Sequence, residues 1–209
     1  MMKVNYKLGL GAVNSATLAA GVDKFPAIEI HKAEGGGVEL WATDAYRLHL
    51  VTIPAEGVEF HDDDALPIRV NAKELLKAFK ASKGAESVEI LPYSGGFTFS
   101  SCGIKPGDTG ISLTIAEYVG HYEIPNPYKL FRGEFKAPEA TAFSVIFNAD
   151  YVEGVTKAAS AISNPKGVSQ VFFDGSENGV VNRATRWRAT NPDTGVSLTA
   201  YLMPIKGPK

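Results

Sequence analysis

The chain has 209 residues, 44% of them hydrophobic, so it reads as a soluble globular protein with enough apolar content for one large domain or two small ones. With 21 Lys and Arg against 23 Asp and Glu the formal net charge is −2, so overall charge gives no pull toward nucleic acid and any DNA contact has to come from local clusters of Lys and Arg. Cys102 is the only cysteine, which excludes an intrachain disulfide and a cysteine-based metal site. No apolar run approaches the roughly 20 residues that span a bilayer, and the segment Met1 to Lys7 lacks the apolar core of a signal peptide, so a cytoplasmic location with no membrane partner is expected.

In chain order, the pattern predicts a short helix over residues 15–21 following Asn14, then strands over 27–31, 38–42 and 47–53. A helix over 72–83 opens after Asn71, followed by strands over 87–91, 96–101 and 110–115. A strand over 143–147 leads through Asn148 into a helix over 149–162, and strands over 168–174, 179–188 and 196–204 complete the chain. The turns Gly35-Gly36-Gly37, Ser94-Gly95, Pro106-Gly107-Asp108 and Asn191-Pro192-Asp193 separate strands directly, which implies antiparallel hairpins rather than alternating strand and helix.

An internal repeat organises these elements. The stretch Pro67-Ile68-Arg69-Val70-Asn71-Ala72-Lys73 aligns with Ser144-Val145-Ile146-Phe147-Asn148-Ala149-Asp150: a strand enters, an asparagine caps, a helix begins. Each helix is followed by three strands, giving the order β-α-β-β-β, and residues 6–54 fit the same order. Three units follow, over roughly residues 1–58, 66–130 and 140–209; such units stack to share a core.

Two segments then stand out at the ends of units: Ala42-Thr43-Asp44-Ala45-Tyr46-Arg47-Leu48, and Tyr201-Leu202-Met203-Pro204-Ile205. Together with Ile124-Pro125-Asn126-Pro127-Tyr128-Lys129-Leu130, they resemble three motifs of the bacterial DNA polymerase III beta subunit, the sliding clamp, with Ala45 standing where that family usually has glycine. The resemblance implies an α+β, DNA-clamp fold with antiparallel sheets outside and short helices inside. It implies two domains, 1–130 resembling the middle domain of the clamp and 131–209 resembling the end of its last domain. A clamp shortened in this way fits a bacteriophage or mobile-element origin.

It also implies a function without catalysis or cofactor: a processivity factor that encircles duplex DNA without sequence preference, as a homo-oligomeric ring. A hydrophobic pocket on the ring would take peptide motifs of the polymerase and the clamp loader. The matched pocket positions are Thr43, Ala45, Tyr46, Arg47 and Leu48, Pro125 and Leu130 in the connector, and Tyr201, Leu202, Met203, Pro204 and Ile205 on the last strand. Arg47 can equally be a structural partner of Asp44, and Leu48, Leu202 and Ile205 can equally be core residues. Lys73, Lys77 and Lys80 recur at spacings of four and three on one helix face, with Lys157 and Lys24 extending the set; they are either a lumen facing DNA or an ordinary solvated face. Ring size stays open between trimer and tetramer. The competing reading is a clamp-derived adaptor or inhibitor that keeps the groove and does not encircle DNA.

Enzymatic readings are weaker. His61-Asp62-Asp63-Asp64 could bind a divalent cation but reads better as a solvated loop between units. The histidines at 31, 49, 61 and 121 show no ligand spacing, and Gly35-Gly36-Gly37 lies between strands instead of preceding a helix. Arg183, Arg186 and Arg188 flank Trp187, yet strand alternation puts Arg186 and Arg188 opposite the indole, against a single-strand-binding patch.

Overall fold

The computed structural model describes residues 2–61, 66–107, 109–120, 122–130, 135–136, 147–162, 170–174 and 184–204. The first unit runs β1 (Met2–Asn5), α1 (Tyr6–Thr17), β2 (Ala27–Lys32), β3 (Val38–Thr43) and β4 (Arg47–Ile53). A short strand, β5 (Val58–Phe60), leads to the second unit: β6 (Ile68–Asn71), α2 (Ala72–Ala81), β7 (Ser87–Tyr93), β8 (Gly96–Cys102) and β9 (Ser112–Ala116). One helical turn, α3 (Pro127–Leu130), and a two-residue strand, β10 (Phe135–Lys136), connect to α4 (Ala149–Ile162), β11 (Gln170–Asp174), β12 (Thr185–Thr190) and β13 (Ser197–Leu202).

Each long helix starts at an asparagine, and Asn5 and Asn71 are also the last residues of the strands β1 and β6. Asn5 accepts hydrogen bonds from the amides of Lys7 and Leu8, and Asn71 from those of Lys73 and Glu74. Asn148 accepts from the amide of Asp150. These side chains satisfy amides that no helical carbonyl can reach. The helix predicted over 15–21 is thus corrected: α1 begins nine residues earlier than Asn14 would place it, because the cap is Asn5, and Asn14 is an exposed mid-helix residue. The helix over 149–162 is as predicted, and 72–83 ends two residues early. The expected strand over 143–147 falls almost wholly outside the described residues, as does the first half of that over 179–188.

The strands form two antiparallel sheets. One has the order β5-β1-β7-β8-β9, the other β10-β11-β12-β13-β4-β3-β2-β6. The first two units exchange their entering strands: β1 of the first pairs with β7 of the second, and β6 of the second pairs with β2 of the first. The third unit is joined differently. Its last strand β13 pairs with β4 in six antiparallel pairs, Leu202 opposite Arg47 through Ser197 opposite Thr52, so one eight-stranded sheet runs from the C-terminal segment into the N-terminal one.

All three long helices lie against these sheets, with α1 in the middle, touching both α2 and α4. The contact requires small residues. A Cβ on Gly9 would sit 2.3 Å from the ring of Phe79 on α2, and one on Gly11 would sit 2.9 Å from the carbonyl of Ala161 on α4. Around this trio a single core gathers Met2, Val13, Ile28, Ile53, Leu75, Phe79, Phe99, Val155, Leu198 and Leu202 from all three units. Burying such side chains contributes about 1.5–3 kcal/mol each. A second, smaller cluster of Trp41, Leu48, Leu50, Ile124, Ala184 and Tyr201 joins strands of the eight-stranded sheet to the connector, and it positions the site described next.

Candidate functional site: a groove between the first and last units

The turn Thr43 to Arg47 is built by its own side chains. Asp44 Oδ1 accepts from the amides of Tyr46 and Arg47, both at 3.0 Å. The Thr43 hydroxyl donates to the carbonyl of Arg47 at 2.7 Å and accepts from the amide of Ala45 at 3.1 Å. This closure forces Ala45 to φ +80°, the left-handed region that a Cβ disfavours and glycine does not. The residue that departs from the clamp pattern therefore holds the backbone shape the pattern's glycine suits.

Arg47 locks the turn to the third unit. Its Nε donates to Asp44 Oδ2 at 2.9 Å, and its guanidinium lies 5.1 Å from the ring centroid of Tyr151 on α4. Tyr46 stacks on the same ring at 5.9 Å. Gly154, one helical turn further along α4, leaves room for the guanidinium: a Cβ there would come within 2.1 Å of Arg47 Nη1. Of the two roles open to Arg47, the geometry shows the structural one, although the side chain also borders the groove. On the other wall, the amide of Met203 donates to the carbonyl of Tyr46 at 2.9 Å, continuing the β4–β13 ladder past its last strand pair.

The connector supplies the third wall. The hydroxyl of Tyr128 on α3 donates to Glu39 on β3, whose other carboxylate oxygen accepts from the Trp41 indole at 3.0 Å. Burial and the Glu39 carboxylate both push the Tyr128 hydroxyl up, so it stays a donor. This anchor sets Pro125 and Leu130 over the sheet.

The result is a groove of about 200 Å³ lined by Phe25, Thr43, Ala45, Tyr46, Arg47, Leu48, Pro125, Leu130, Tyr201 and Met203. Tyr46, Leu130 and Met203 are 60%, 57% and 42% exposed, an unusual concentration of large apolar side chains in water. Among the described lining residues the one charged side chain is Arg47, and it is paired with Asp44. Burial raises the Tyr201 hydroxyl's pKa against the opposing pull of Arg186 and Arg188, so the hydroxyl stays protonated. What such a surface can do chemically is bury apolar side chains of an extended segment.

Nine of the twelve predicted pocket residues are brought together here. Leu202 is a correction: fully buried in the main core, it points through the sheet away from the groove, as alternation along β13 requires. Pro204 is half-buried next to Met203 but does not line the groove, and Ile205 lies outside the described residues. Phe25 is a lining residue the sequence pattern did not reveal; it stands in the loop after α1, its ring 5.4 Å from that of Tyr122.

The predicted basic positions divide. Lys73, Lys77 and Lys80 are all exposed along α2, opposite the buried Leu75, Ala78 and Phe79. Lys157 lies on α4, beyond α1, and is bonded to Glu153 at 2.6 Å, so its charge is offset locally. Lys24 is exposed in the loop after α1 rather than on a helix. The Asp62 to Asp64 run and His121 lie outside the described residues, and among the described residues no cluster of His, Cys, Asp and Glu suits a metal ion. Nor, among them, is any helix long and apolar enough to cross a membrane.

No protein-family model and no curated protein matches the sequence. Solved structures do. The fold superposes on the DNA polymerase III beta chain of Streptococcus pneumoniae with a TM-score of 0.68 at 11% identity, covering 100% of this chain and 65% of that one. This chain thus spans just under two thirds of the bacterial subunit. The proliferating cell nuclear antigen of Entamoeba histolytica matches over 98% of both chains with a TM-score of 0.63 and 12% identity. The A. fulgidus homologue, solved with the C-terminal region of FEN-1 bound, matches over the full length of both with 0.53 and 14%. The chain has the sliding-clamp fold.

Proposed function

We propose that this chain is a sliding clamp: a non-catalytic processivity factor that assembles around duplex DNA and takes apolar peptide segments of a DNA polymerase, a clamp loader and other replication proteins into the groove. One observation carries the reading. Residues from three separated parts of the chain, two of them in its first and last units, converge on one largely apolar, solvent-open groove. A peptide seated there would cover Tyr46, Leu130 and Met203, and such anchors are how extended segments bind with few polar contacts. The A. fulgidus relative, with a FEN-1 segment bound, is consistent with this. The DNA side is α2, where three exposed lysines recur with nothing that would read bases, as a sliding contact needs.

A second reading rests on α4. Its exposed face carries Asp150 and Glu153 against Lys157 alone, a poor surface for phosphate, and a non-encircling adaptor needs none. The test has two arms. A panel of labelled, extended peptides bearing two or three large apolar side chains is titrated against the protein and Met203→Asp; binding by the first and a loss of at least roughly tenfold in the second are expected, about 1.4 kcal/mol. Equal affinity, or no binding at all, overturns the groove. Retention on closed-circular against linearised DNA then separates an encircling clamp from the adaptor.

A further inference from the structure

The face of the eight-stranded sheet that floors the groove changes character from one side to the other. On β2 and β3 it carries carboxylates, and each is engaged: Glu29 with His31 and Arg69, Glu39 with Trp41 and Tyr128. Toward β12 it carries guanidiniums. Arg186 lies opposite Tyr201 and Arg188 opposite Thr199 in the register of β12 with β13, so both side chains stand on the same face of the sheet as the groove. On the reading that the groove takes a peptide, we infer that Arg186 and Arg188 are its specificity-determining extension, selecting segments that carry an Asp or Glu beside their apolar anchors.

Continuity with the groove is direct. Tyr201 lines it, and the Arg186 guanidinium donates a hydrogen bond to the Tyr201 hydroxyl, so the basic pair begins where the groove floor ends. The connector, tied to β3 through Tyr128 and Glu39, bounds the opposite side with Pro125 and Leu130. An extended segment laid over Tyr201 and leading away from the connector therefore passes over β12. Neighbouring strands lie about 4.8 Å apart and an extended chain rises about 3.4 Å per residue, so a residue one to three positions beyond the anchor on Tyr201 comes within reach of both guanidiniums.

The sign of the charge names the chemistry of the partner. Arg186 and Arg188 stand two residues apart on one strand, and the residues that continue this face beside them on β13 and β4, Thr199, Ser197, Leu50 and Thr52, are uncharged. Burial and then the nearness of Arg188 lower the pKa of Arg186, with the Tyr201 bond opposing, as expected for two like charges held close. A carboxylate brought between them relieves that repulsion and accepts from two planar forks of donors. Arg186 is half-buried, where such a bond is less screened, and Arg188 is exposed, where an arriving segment can meet it. Single-stranded nucleic acid fits less well, because its bases need a ring to stack on. Trp187 turns to the other face, where its ring meets that of Phe147 at 5.8 Å against the main core.

The test takes the tightest-binding peptide of the apolar panel, remakes it with Asp, Asn or Lys at each of the three positions flanking its anchors at either end, and titrates every version against the protein. At one end Asp should bind about threefold to tenfold more tightly than Asn at low salt, and Lys more weakly than either. The preference should shrink at about 1 M salt, where the Debye length is about 3 Å. Arg188→Gln should reduce the preference for Asp and Arg188→Glu should turn it toward Lys, while the Asn peptide binds both variants as it binds the wild type. Arg186→Gln with Arg188→Gln should abolish the preference. Equal affinity for Asp and Asn at every position, or a preference that survives the double substitution, would overturn the inference and leave the groove standing. No binding by any peptide removes the groove and the inference together. A single-stranded oligonucleotide bound by the wild type and lost in the double variant would also overturn it, assigning the arginines to phosphate.

Discussion

His49 should make the protein acid-sensitive through one buried ring. It lies on β4, fully buried, with Nδ1 2.9 Å from the Ser15 carbonyl near the end of α1, a carbonyl left free because the Ala19 amide bonds to Ala16 instead. Nδ1 donates, Nε2 has no partner among the described residues, and a proton on Nε2 would bring a charge into the core with none of their acceptors to meet it. Burial, with Arg47 adding to it and the Ser15 carbonyl and Asp44 opposing, lowers the pKa from 6.5 to about 4. The unfolded chain takes up the proton first. The stability from neutral His49 is therefore complete above pH 6.5, falls as pH drops from 6.5 to 4, and is gone below. The total is about 3 kcal/mol at ~1.4 kcal/mol per pH unit. Urea unfolding of the wild type and of His49→Leu across that range checks it. The variant loses the bond to Ser15 and is less stable at pH 7, but the difference between the two should shrink by about 3 kcal/mol on acidification, a subtraction that removes the carboxylates common to both. Parallel curves would refute the reasoning.

Three further outcomes are expected. Lys73→Glu with Lys77→Glu should weaken DNA retention at low salt and flatten the salt dependence by about two in the log–log slope, roughly 0.9 per phosphate contact, while leaving peptide affinity alone. Gly154→Ala gains about 1 kcal/mol of helix propensity but displaces the Arg47 guanidinium from Asp44, a charged bond worth about 1.5–3 kcal/mol, so chemical denaturation should show a net loss and peptide titration a weakened groove. Ala45→Gly relieves roughly 1–2 kcal/mol of left-handed strain against about 0.5–1 kcal/mol of added chain entropy, so a small gain in stability with unchanged peptide binding is expected from thermal melts.

How far the sequence disclosed this arrangement depended on whether local signals agreed with tertiary ones. The second and third helices were legible because asparagine caps precede strong periodic patterns, Leu75, Ala78 and Phe79 in one and Val155, Ala158 and Ile162 in the other. α1 was misplaced because Gly9 and Gly11 lower its propensity, and they are there for contacts with Phe79 and Ala161 that no local pattern announces. Its signal was nonetheless present: Val4-Asn5 repeats Val70-Asn71 and Phe147-Asn148. In the groove, Thr43 to Leu48 was legible through a turn motif whose Thr and Asp close it by hydrogen bonds. Naming Leu202 beside Tyr201 ignored the period of two, and Phe25 lies in a loop where no periodicity exists.

The six-pair join of β13 to β4 has a kinetic consequence. Both principal walls of the groove are successive rungs of one hydrogen-bonded ladder, extended by the Met203 amide and braced across by Arg47 and Tyr151. These two walls cannot part without breaking the ladder, so on the proposed reading their competent shape is the resting shape and no fraction of affinity is spent on populating it. The ordering cost of association then falls on the incoming segment, and a ligand already stiff and extended should arrive faster and stay longer than a floppy one carrying the same side chains.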